Sequence, residues 1–381
     1  MKIRSPSRAS STLLLRYLVP TLIVICILLS ILNIAEFKPP NFPTITFESS
    51  DSSEPTTNWN TPPQYNDNDD AKFVFTNPFA HPVPEKQTVL VLTLVRNNES
   101  WGGKRNFFDF VKLVQGFDYP MSNIHLGVLV SDKQEFDAIT SSIQKRPLKD
   151  FFGTVHVILR TKDVGIARED RKADEAQRQR RRLLARLRNF LLFTTLREEE
   201  SVLWIDSDMI SIPKDLLGRM VDSGKDIITT PTRLGPNGGF YDYNAWVGER
   251  TKPTAEEQAN IEQGGMYIPG AKDVKFTHEL EGEFGELDSV GGTVLFVRGE
   301  VHREGVAFTT NYVIGSGWDY EGYDGIETEG LCYVAKFLGS FSSPSLKCPT
   351  TEDDENDEDD GDDDDDGDDD DDDDDVRRAC A

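Results

Sequence analysis

Residues 201–208 read Ser-Val-Leu-Trp-Ile-Asp-Ser-Asp, an apolar run that ends in two carboxylates, Asp206 and Asp208. The run has the length and hydrophobicity of a buried strand. Residues two apart in an extended segment project to the same side, so both carboxylates can face one ligand. Open α/β sheets place their binding crevices at the carboxyl ends of their strands. A carboxylate pair there suits a divalent cation that neutralises a diphosphate, which indicates a nucleotide-sugar site.

The Asp-x-Asp pattern is short, and in an acidic chain it also occurs as a solvated turn, so its context has to support it. The context is an alternation of strands and helices. Strands are predicted over residues 88–94, 126–130 and 155–159, helices over 107–114, 136–144 and 171–195, and a further helix begins near Pro213. This order predicts an α/β fold of the nucleotide-binding kind, with a mostly parallel sheet and helices on both faces.

The N-terminal region has the pattern of a membrane anchor. Residues 1–16 carry basic but no acidic side chains, and residues 17–35 contain no charge. Nineteen such residues can span the hydrocarbon core as a helix, and the basic flank predicts a cytosolic N-terminus. We therefore expect a single-pass type II anchor at 17–35 rather than a cleaved signal peptide. Residues 36–87 are predicted to be a disordered stem, and 88–341 a single catalytic domain.

The net charge of −26 is concentrated at the C-terminus. Residues 352–375 contribute 21 acidic and no basic side chains, which leaves −26 + 21 = −5 for the rest of the chain. We predict that residues 342–381 form a disordered acidic tail, because so dense a run of like charges cannot collapse. The remaining chain is close to neutral and shows no basic footprint for nucleic acid.

The helix predicted over 171–195 is rich in arginine. Most of these side chains are expected to form a solvated face, but Arg186 and Asn189 lie within one turn of each other on a helix that leads into the Asp206 strand. A guanidinium at Arg186 could reach a diphosphate. We therefore predict that Arg186 and Asn189 bind the nucleotide.

Four ordered motifs together are far more specific than Asp-x-Asp alone. They are Arg186-Leu-Arg-Asn189, Val202-Leu-Trp-Ile-Asp-Ser-Asp208, Asp288-Ser-Val-Gly-Gly-Thr293 and Gly322-Tyr-Asp-Gly-Ile-Glu-Thr-Glu-Gly330. In this combination residues 88–341 resemble the fungal mannan polymerase subunit family, glycosyltransferase family 62.

The resemblance implies a GT-A-type fold and a type II Golgi membrane protein with a lumenal catalytic domain. It implies transfer of mannose from GDP-mannose to α-mannosides of N-linked glycans, with retention of configuration, in complexes with other mannan polymerase subunits. By the same resemblance Asp208 binds Mn²⁺ directly, and Asp206 lies near the metal or the ribose. A metal on the diphosphate would stabilise the departing GDP.

Two further segments are expected on the acceptor side. Asp288 and the two glycines after Val290 precede a buried strand and would allow a sugar to approach the backbone, although a structural turn explains them equally well. Three more acids in the last motif are predicted to take part in catalysis or binding: Asp324, Glu327 and Glu329, with Trp318, Tyr320 and Tyr323 nearby. The alternative is that these acids only complement a helix dipole.

The chain departs from the family pattern near its C-terminus. Family members carry a late histidine that completes the metal shell, whereas no histidine follows His302 here. The resemblance therefore predicts a catalytic domain that is cut short at its C-terminal end. A non-catalytic scaffold subunit that keeps the fold is the alternative to an active transferase.

Overall fold

The computed structural model describes residues 70–145, 152–161, 174–235 and 238–338, together with short strands at 64–65, 344–346 and 377–379. The predicted anchor at 17–35, nearly all of the predicted stem before residue 70 and most of the acidic tail lie outside these residues. Within the described ranges, no helix is long and apolar enough to cross a membrane.

The described residues form the following strands, numbered in chain order: β1 (Gln64–Tyr65), β2 (Ala71–Thr76), β3 (Val89–Val95), β4 (Ile124–Val130), β5 (Thr154–Leu159), β6 (Ser201–Ile205), β7 (Met209–Ser211), β8 (Ile227–Thr229), β9 (Thr232–Leu234), β10 (Phe240–Tyr241), β11 (Trp246–Arg250), β12 (Ala271–Phe276), β13 (Phe284–Glu286), β14 (Val294–Arg298), β15 (Pro344–Leu346) and β16 (Arg377–Ala379).

The helices of the same residues are α1 (Phe107–Gln115), α2 (Lys133–Lys145), α3 (Asp174–Thr195), α4 (Leu216–Asp222), α5 (Ala255–Glu262), α6 (Gly299–Arg303) and α7 (Thr328–Phe337). The predicted helices over 107–114 and 136–144 correspond to α1 and α2. The helix predicted near Pro213 starts later, at Leu216, because the chain first makes a turn in which the Leu216 N–H donates to Pro213 O at 3.2 Å.

The main sheet has the order β1-β2-β5-β4-β3-β6-β14-β8-β15-β13. Its centre, β5-β4-β3-β6, is parallel as predicted. Antiparallel strands flank this centre on both sides, with β2 beside β5 and β14 between β6 and β8. The sheet is therefore mixed. The chain moves outward from β3 first to one side and then, at β6, to the other, which makes the β3/β6 boundary a switch point of the kind that binds ligands.

Helices cover both faces of the sheet, as the sequence predicts. Val89 and Val91 of β3 face a core that contains Phe110 of α1, Phe136 of α2 and Leu217 of α4. The alternate residues of β3 face a second core with side chains of α3 and α7: Leu90 and Leu92 of β3, Leu191 of α3 and Leu331 of α7. Each fully buried Leu or Phe stabilises the fold by roughly 1.5–3 kcal/mol relative to exposure. The alternation of β3 thus fixes which helices lie on which face.

Candidate functional site

The loops that follow β3 and β6 pack against each other at the switch point. Ser207 Oγ donates to Ser100 O at 2.6 Å. A Cβ added to Gly102 would lie 3.4 Å from Asp208 Cβ, so the loop after β3 directly covers one side of Asp208. Gly102 has a φ of +75°, a conformation that glycine adopts readily. This loop and the Asp-x-Asp segment therefore form one wall of a crevice at the carboxyl ends of the strands.

Asp206 and Asp208 lie in a turn rather than in the extended segment that the sequence predicts. The Met209 N–H donates to Asp206 O at 3.2 Å, and this bond closes the turn between β6 and β7. Both acids are partly exposed, whereas Ser207 and Met209 are buried. The predicted alternation of exposure is therefore kept even though the backbone turns.

Arg188 of α3 enters the site, although the sequence reasoning did not select it. Its Nε lies 3.2 Å from Glu327 Oε1, and its Nη2 lies 3.6 Å from Asp206 Oδ1. Nη2 also donates to Gly292 O at 3.3 Å. The residue is only 6% exposed. One buried guanidinium therefore links the Asp-x-Asp turn, the glycine pair and the start of α7.

The two predicted nucleotide-binding residues of α3 have other surroundings. Arg186 lies on the exposed side of the helix and is not part of this group, so its role stays a prediction. Asn189 Nδ2 donates to Phe308 O at 2.7 Å, and its Oδ1 accepts from the Phe308 N–H at 2.9 Å. The Asn189 amide thus hydrogen-bonds both backbone groups of Phe308, and its contact with the nucleotide stays a prediction.

The glycine pair before β14 makes room for side chains of the protein itself. A Cβ on Gly292 would lie 2.7 Å from Arg188 Nη2, and a Cβ on Gly291 would lie 2.1 Å from Asp242 Oδ2. Asp242 Oδ2 also accepts from the Thr293 N–H at 3.0 Å. The close approach that the sequence predicts for a sugar is therefore made here by a guanidinium and a carboxylate.

Glu327 precedes the first residue of α7 in an unusual backbone conformation, with φ 60° and ψ −120°. Strain of this kind persists only where the surroundings impose it, and it concentrates at functional sites. Burial raises the pKa of Glu327, an effect that the nearby Arg188 and Arg181 oppose and that Asp206 reinforces. Asp206 and Glu327 are thus electrostatically coupled acids that share one cation.

Asp324 and Glu329 form a second cluster with Arg250. Arg250 Nη2 lies 2.7 Å from Glu329 Oε1 and 3.5 Å from Asp324 Oδ1. Arg181 Nη1 donates to the other oxygen of Glu329 at 3.1 Å, and Tyr333 Oη donates to Asp324 Oδ2 at 3.3 Å. Burial raises the pKa of Glu329 and of Tyr333. The helix-dipole alternative therefore gives an incomplete account of these acids, because each carboxylate has a cationic partner.

The contacts of Asp288 are with residues outside both clusters. Its Oδ2 accepts from the Gly248 N–H at 2.9 Å, and its Oδ1 forms an ion pair with Lys336 of α7. Its catalytic role stays a prediction.

Oxygen donors of the Asp-x-Asp turn are compatible with a hard divalent cation. Among the described residues, no group of three or more His, Cys, Asp or Glu side chains could hold a metal ion by itself. Two carboxylates would nevertheless suffice if diphosphate and water supplied the remaining ligands. His302 is buried; its Nδ1–H donates to Val306 O at 2.8 Å, and burial lowers its pKa to about 4. His278 stacks on Phe240 with 4.0 Å between ring centroids.

Comparison with known proteins identifies the family. The Anp1 family model matches residues 74–312, more than half of the chain. This chain belongs to the Anp1 family. The predicted resemblance to fungal mannan polymerase subunits is thereby confirmed. The mannan polymerase complex subunit mnn9 of Schizosaccharomyces pombe is 28% identical to this Anp1-family chain over 280 residues, which cover 68% of the chain and 77% of the relative.

A second relative from Schizosaccharomyces pombe is the mannan polymerase II complex anp1 subunit. It is 27% identical over 296 residues, which cover 71% of the Anp1-family chain and 65% of the relative, slightly less than two thirds. Among solved structures, a mannosyltransferase from Pyrobaculum calidifontis in complex with GDP-Man and Mn²⁺ is 12% identical, with a TM-score of 0.36 and coverage of 72% of this chain and 61% of that one. So distant a likeness carries no argument about function.

Proposed function

We propose that this Anp1-family chain is a metal-dependent mannosyltransferase with a GT-A-type fold. It would transfer mannose from GDP-mannose to α-mannosides of N-linked glycans. The observation that carries the proposal is the position of Asp206 and Asp208, which are partly exposed at the carboxyl end of β6 and beside the loop after β3. Open sheets of this order bind nucleotides at that boundary.

At the donor end, Asp206 and Asp208 would hold Mn²⁺, with the diphosphate oxygens and water as its other ligands. The bound metal would neutralise charge on the departing GDP. Arg188 holds Asp206 in place through the 3.6 Å contact and adds a positive charge behind it. Arg186, exposed on the same helix, would be free to meet the nucleotide from solvent.

The reaction replaces one glycosidic bond by another. The bond between the anomeric carbon and the β-phosphate oxygen breaks, and GDP leaves with the bonding electron pair. The acceptor hydroxyl oxygen forms the new bond on the same face, and its proton passes to the departing diphosphate. Glu327 and Glu329 lie in a motif that also contains Tyr323 and Asp324, and Trp318 and Tyr320 come shortly before it, which suits an acceptor with many hydroxyl groups.

The charge pattern at the N-terminus supports a proposed cellular setting. We propose that residues 17–35 anchor the chain in the Golgi membrane as a type II protein, with the described domain in the lumen. The partners would be other mannan polymerase subunits, since the two relatives above are named as subunits of such complexes.

A transfer assay tests the proposal. The full chain, alone and with co-expressed mannan polymerase subunits, is given labelled GDP-mannose, Mn²⁺ and an α-mannoside acceptor. Labelled product is expected from the wild type and not from Asp208→Asn, whereas Asp226→Asn, which lies after α4 beside Arg298, should leave product formation unchanged. Equal product from Asp208→Asn and the wild type would contradict the proposal.

A second candidate function is a non-catalytic scaffold subunit. One observation favours it: the four acids Asp288, Asp324, Glu327 and Glu329 all have arginine or lysine partners within the protein. Such pairing neutralises acids that a catalyst would use. If the chain is a non-catalytic scaffold, we expect it to co-purify with other subunits, and Asp208→Asn should not alter mannose transfer by the complex.

A further inference from the structure

The loop between Tyr312 and Asp324, called here the Trp318 loop, holds its tryptophan fully in solvent. Trp318 is the most exposed large apolar side chain among the described residues. An indole held fully in solvent leaves its aromatic face available to pack against the apolar face of a ligand.

The Trp318 loop has a defined backbone. Its two arms run antiparallel: the Ile314 N–H donates to Asp324 O at 3.0 Å, and the Tyr323 N–H donates back to Ile314 O at 2.9 Å. Nearer the tip, the Gly317 N–H donates to Tyr320 O at 3.1 Å. Backbone bonds at the base and close to the tip hold Trp318 out from the protein.

Glycines and an ion pair tighten this arrangement. A Cβ on Gly315 would lie 2.4 Å from the Tyr323 ring, and a Cβ on Gly317 would lie 2.4 Å from the Tyr320 ring, so tyrosines pack directly on the loop backbone. Glu321 pairs with Arg182 of α3, and its Oε1 accepts from the Tyr312 N–H at 2.8 Å. The loop is thus attached to the helix that also carries Arg188.

The base of the loop is part of the candidate site. Asp324, which ends the loop, contacts Arg250 and Tyr333 in the second acid cluster. Trp318 lies four positions after Ile314, which pairs with Asp324, so the chain can place it at most about 13 Å from this pair. Trp318 therefore lies within reach of a ligand that extends outward from this acid cluster.

We propose that Trp318 and Asp319 form an acceptor subsite for a saccharide chain of several mannose units. This inference rests on the proposed function and specifies its acceptor. One face of a pyranose ring presents polarised C–H groups, which pack on the negative face of an indole. The hydroxyl groups at the edge of the ring can donate to a carboxylate, and the exposed Asp319 follows Trp318 directly.

A protein partner fits this tip less well. Interface hot spots lie in a fully desolvated centre surrounded by other apolar contacts. The neighbours of Trp318 in the loop are instead Ser316, Gly317 and Asp319, which are small or charged and exposed. A single indole flanked by a carboxylate matches one sugar ring.

The test measures binding of an α-linked mannotriose to the full chain by calorimetry, without donor. Trp318→Ala is expected to weaken this binding about tenfold, as burial of one indole face implies, and Trp318→Phe less. Asp319→Ala should also weaken it. The matched control is Phe79→Ala, which removes another largely exposed aromatic, after β2, and should leave binding unchanged. Trp318 is fully exposed, so its substitution should leave the fold intact. Melting temperatures equal to that of the wild type would confirm that the variants are folded.

Donor binding separates this proposal from the proposed function. Trp318→Ala should bind GDP-mannose with Mn²⁺ as the wild type does. Asp208→Asn should lose GDP-mannose binding but keep mannotriose binding. If the wild type binds no donor but its affinity for mannotriose depends on Trp318, the proposed transferase function is refuted and the proposed subsite is supported. If Trp318→Ala and the wild type bind mannotriose equally, or neither binds it, the subsite is refuted. If Trp318→Ala lost its association with other subunits but kept the wild-type affinity for mannotriose, the subsite would also be refuted. Trp318 would then be a docking residue for a protein partner.

Discussion

Arg188 Nε lies 3.2 Å from Glu327 Oε1, and both side chains are buried. The same guanidinium lies 3.6 Å from Asp206 Oδ1. A buried ion pair adds little net stability compared with an apolar pair, but the loss of one partner leaves an uncompensated charge. Arg188 therefore makes the geometry of the Asp-x-Asp turn depend on the first turn of α7.

Replacing Arg188 by Gln should strongly destabilise the protein. Glu327 would be left buried without its nearest cation, which is expected to lower the free energy of unfolding by about 3 kcal/mol. Arg186→Gln is the control, because Arg186 is exposed on the same helix and should change the value by less than about 0.5 kcal/mol. Denaturant unfolding measures both.

The double variant Arg188→Gln/Glu327→Gln extends this test. It removes the orphaned charge and should recover part of the lost stability, since a neutral amide is less costly to bury than a carboxylate. Stability of Arg188→Gln equal to that of Arg186→Gln would show that the pair contributes nothing.

Gly292→Ala should disturb the site through packing. The new Cβ would lie 2.7 Å from Arg188 Nη2 and 3.1 Å from Thr328 Cγ2, so the guanidinium must move. We expect a loss of about 1–3 kcal/mol in unfolding free energy, as for other overpacked sites. Gly218→Ala in α4, where the added Cβ meets no atom within 4 Å, should be neutral or slightly stabilising. If both substitutions had the same effect, Gly292 would not be needed to accommodate Arg188.

Asn189→Asp tests whether Asn189 is structural. The variant loses the Nδ2–H that donates to Phe308 O and places a carboxylate against that carbonyl. Unfolding free energy should fall by about 2 kcal/mol, while the GDP-mannose affinity of the folded protein stays unchanged. Asn311→Asp is the control, since Asn311 is exposed and makes one 3.4 Å contact with Tyr312 O. Weaker GDP-mannose binding by a stably folded Asn189→Asp would instead support the predicted nucleotide contact.

His302 should contribute a loss of stability as the pH is lowered from about 7 to 5. Burial lowers the pKa of His302 from 6.5 to about 4, so between these values the unfolded chain binds a proton that the folded protein does not. Unfolding free energy therefore rises with pH across this window, by up to about 1.4 kcal/mol per pH unit for this histidine. His156, whose pKa burial also lowers to about 4, acts in the same direction.

Denaturant unfolding at pH 7 and pH 5 measures the effect. His302→Gln should lose less stability between the two pH values than the wild type, whatever its stability at pH 7. His81→Gln replaces an exposed histidine and should keep the wild-type difference. An unchanged difference in His302→Gln would contradict the assignment.

Much of the parallel centre could be predicted because buried strands read as continuous apolar runs. The predicted strand over 88–94 differs from β3 by one residue at each end. The antiparallel flanks were missed because β14 is as apolar as β6, and composition does not encode direction. The turn at Asp206 was only the alternative in the sequence analysis, because no glycine or proline marks it.

The arginine run shows why a site residue is hard to choose from sequence. Arg186 and Arg188 look equivalent in the run, but only Arg188 faces the core. A usable signal was present: Arg181 and Arg188 are seven residues apart, and Ala185 and Leu192 fall on the same face of a helix. The buried positions of Ala185 and Leu192 agree with this face. The partners of Arg188 come from distant segments, and no local pattern predicts them.

The proposed function depends above all on a metal-dependent donor site at Asp206 and Asp208. Calorimetric titration of GDP-mannose into the full chain, with and without Mn²⁺, tests it most directly. We expect binding that requires Mn²⁺, is lost in Asp208→Asn and is retained in Asp226→Asn. Absence of binding in both conditions, or binding that Asp208→Asn leaves intact, would contradict it.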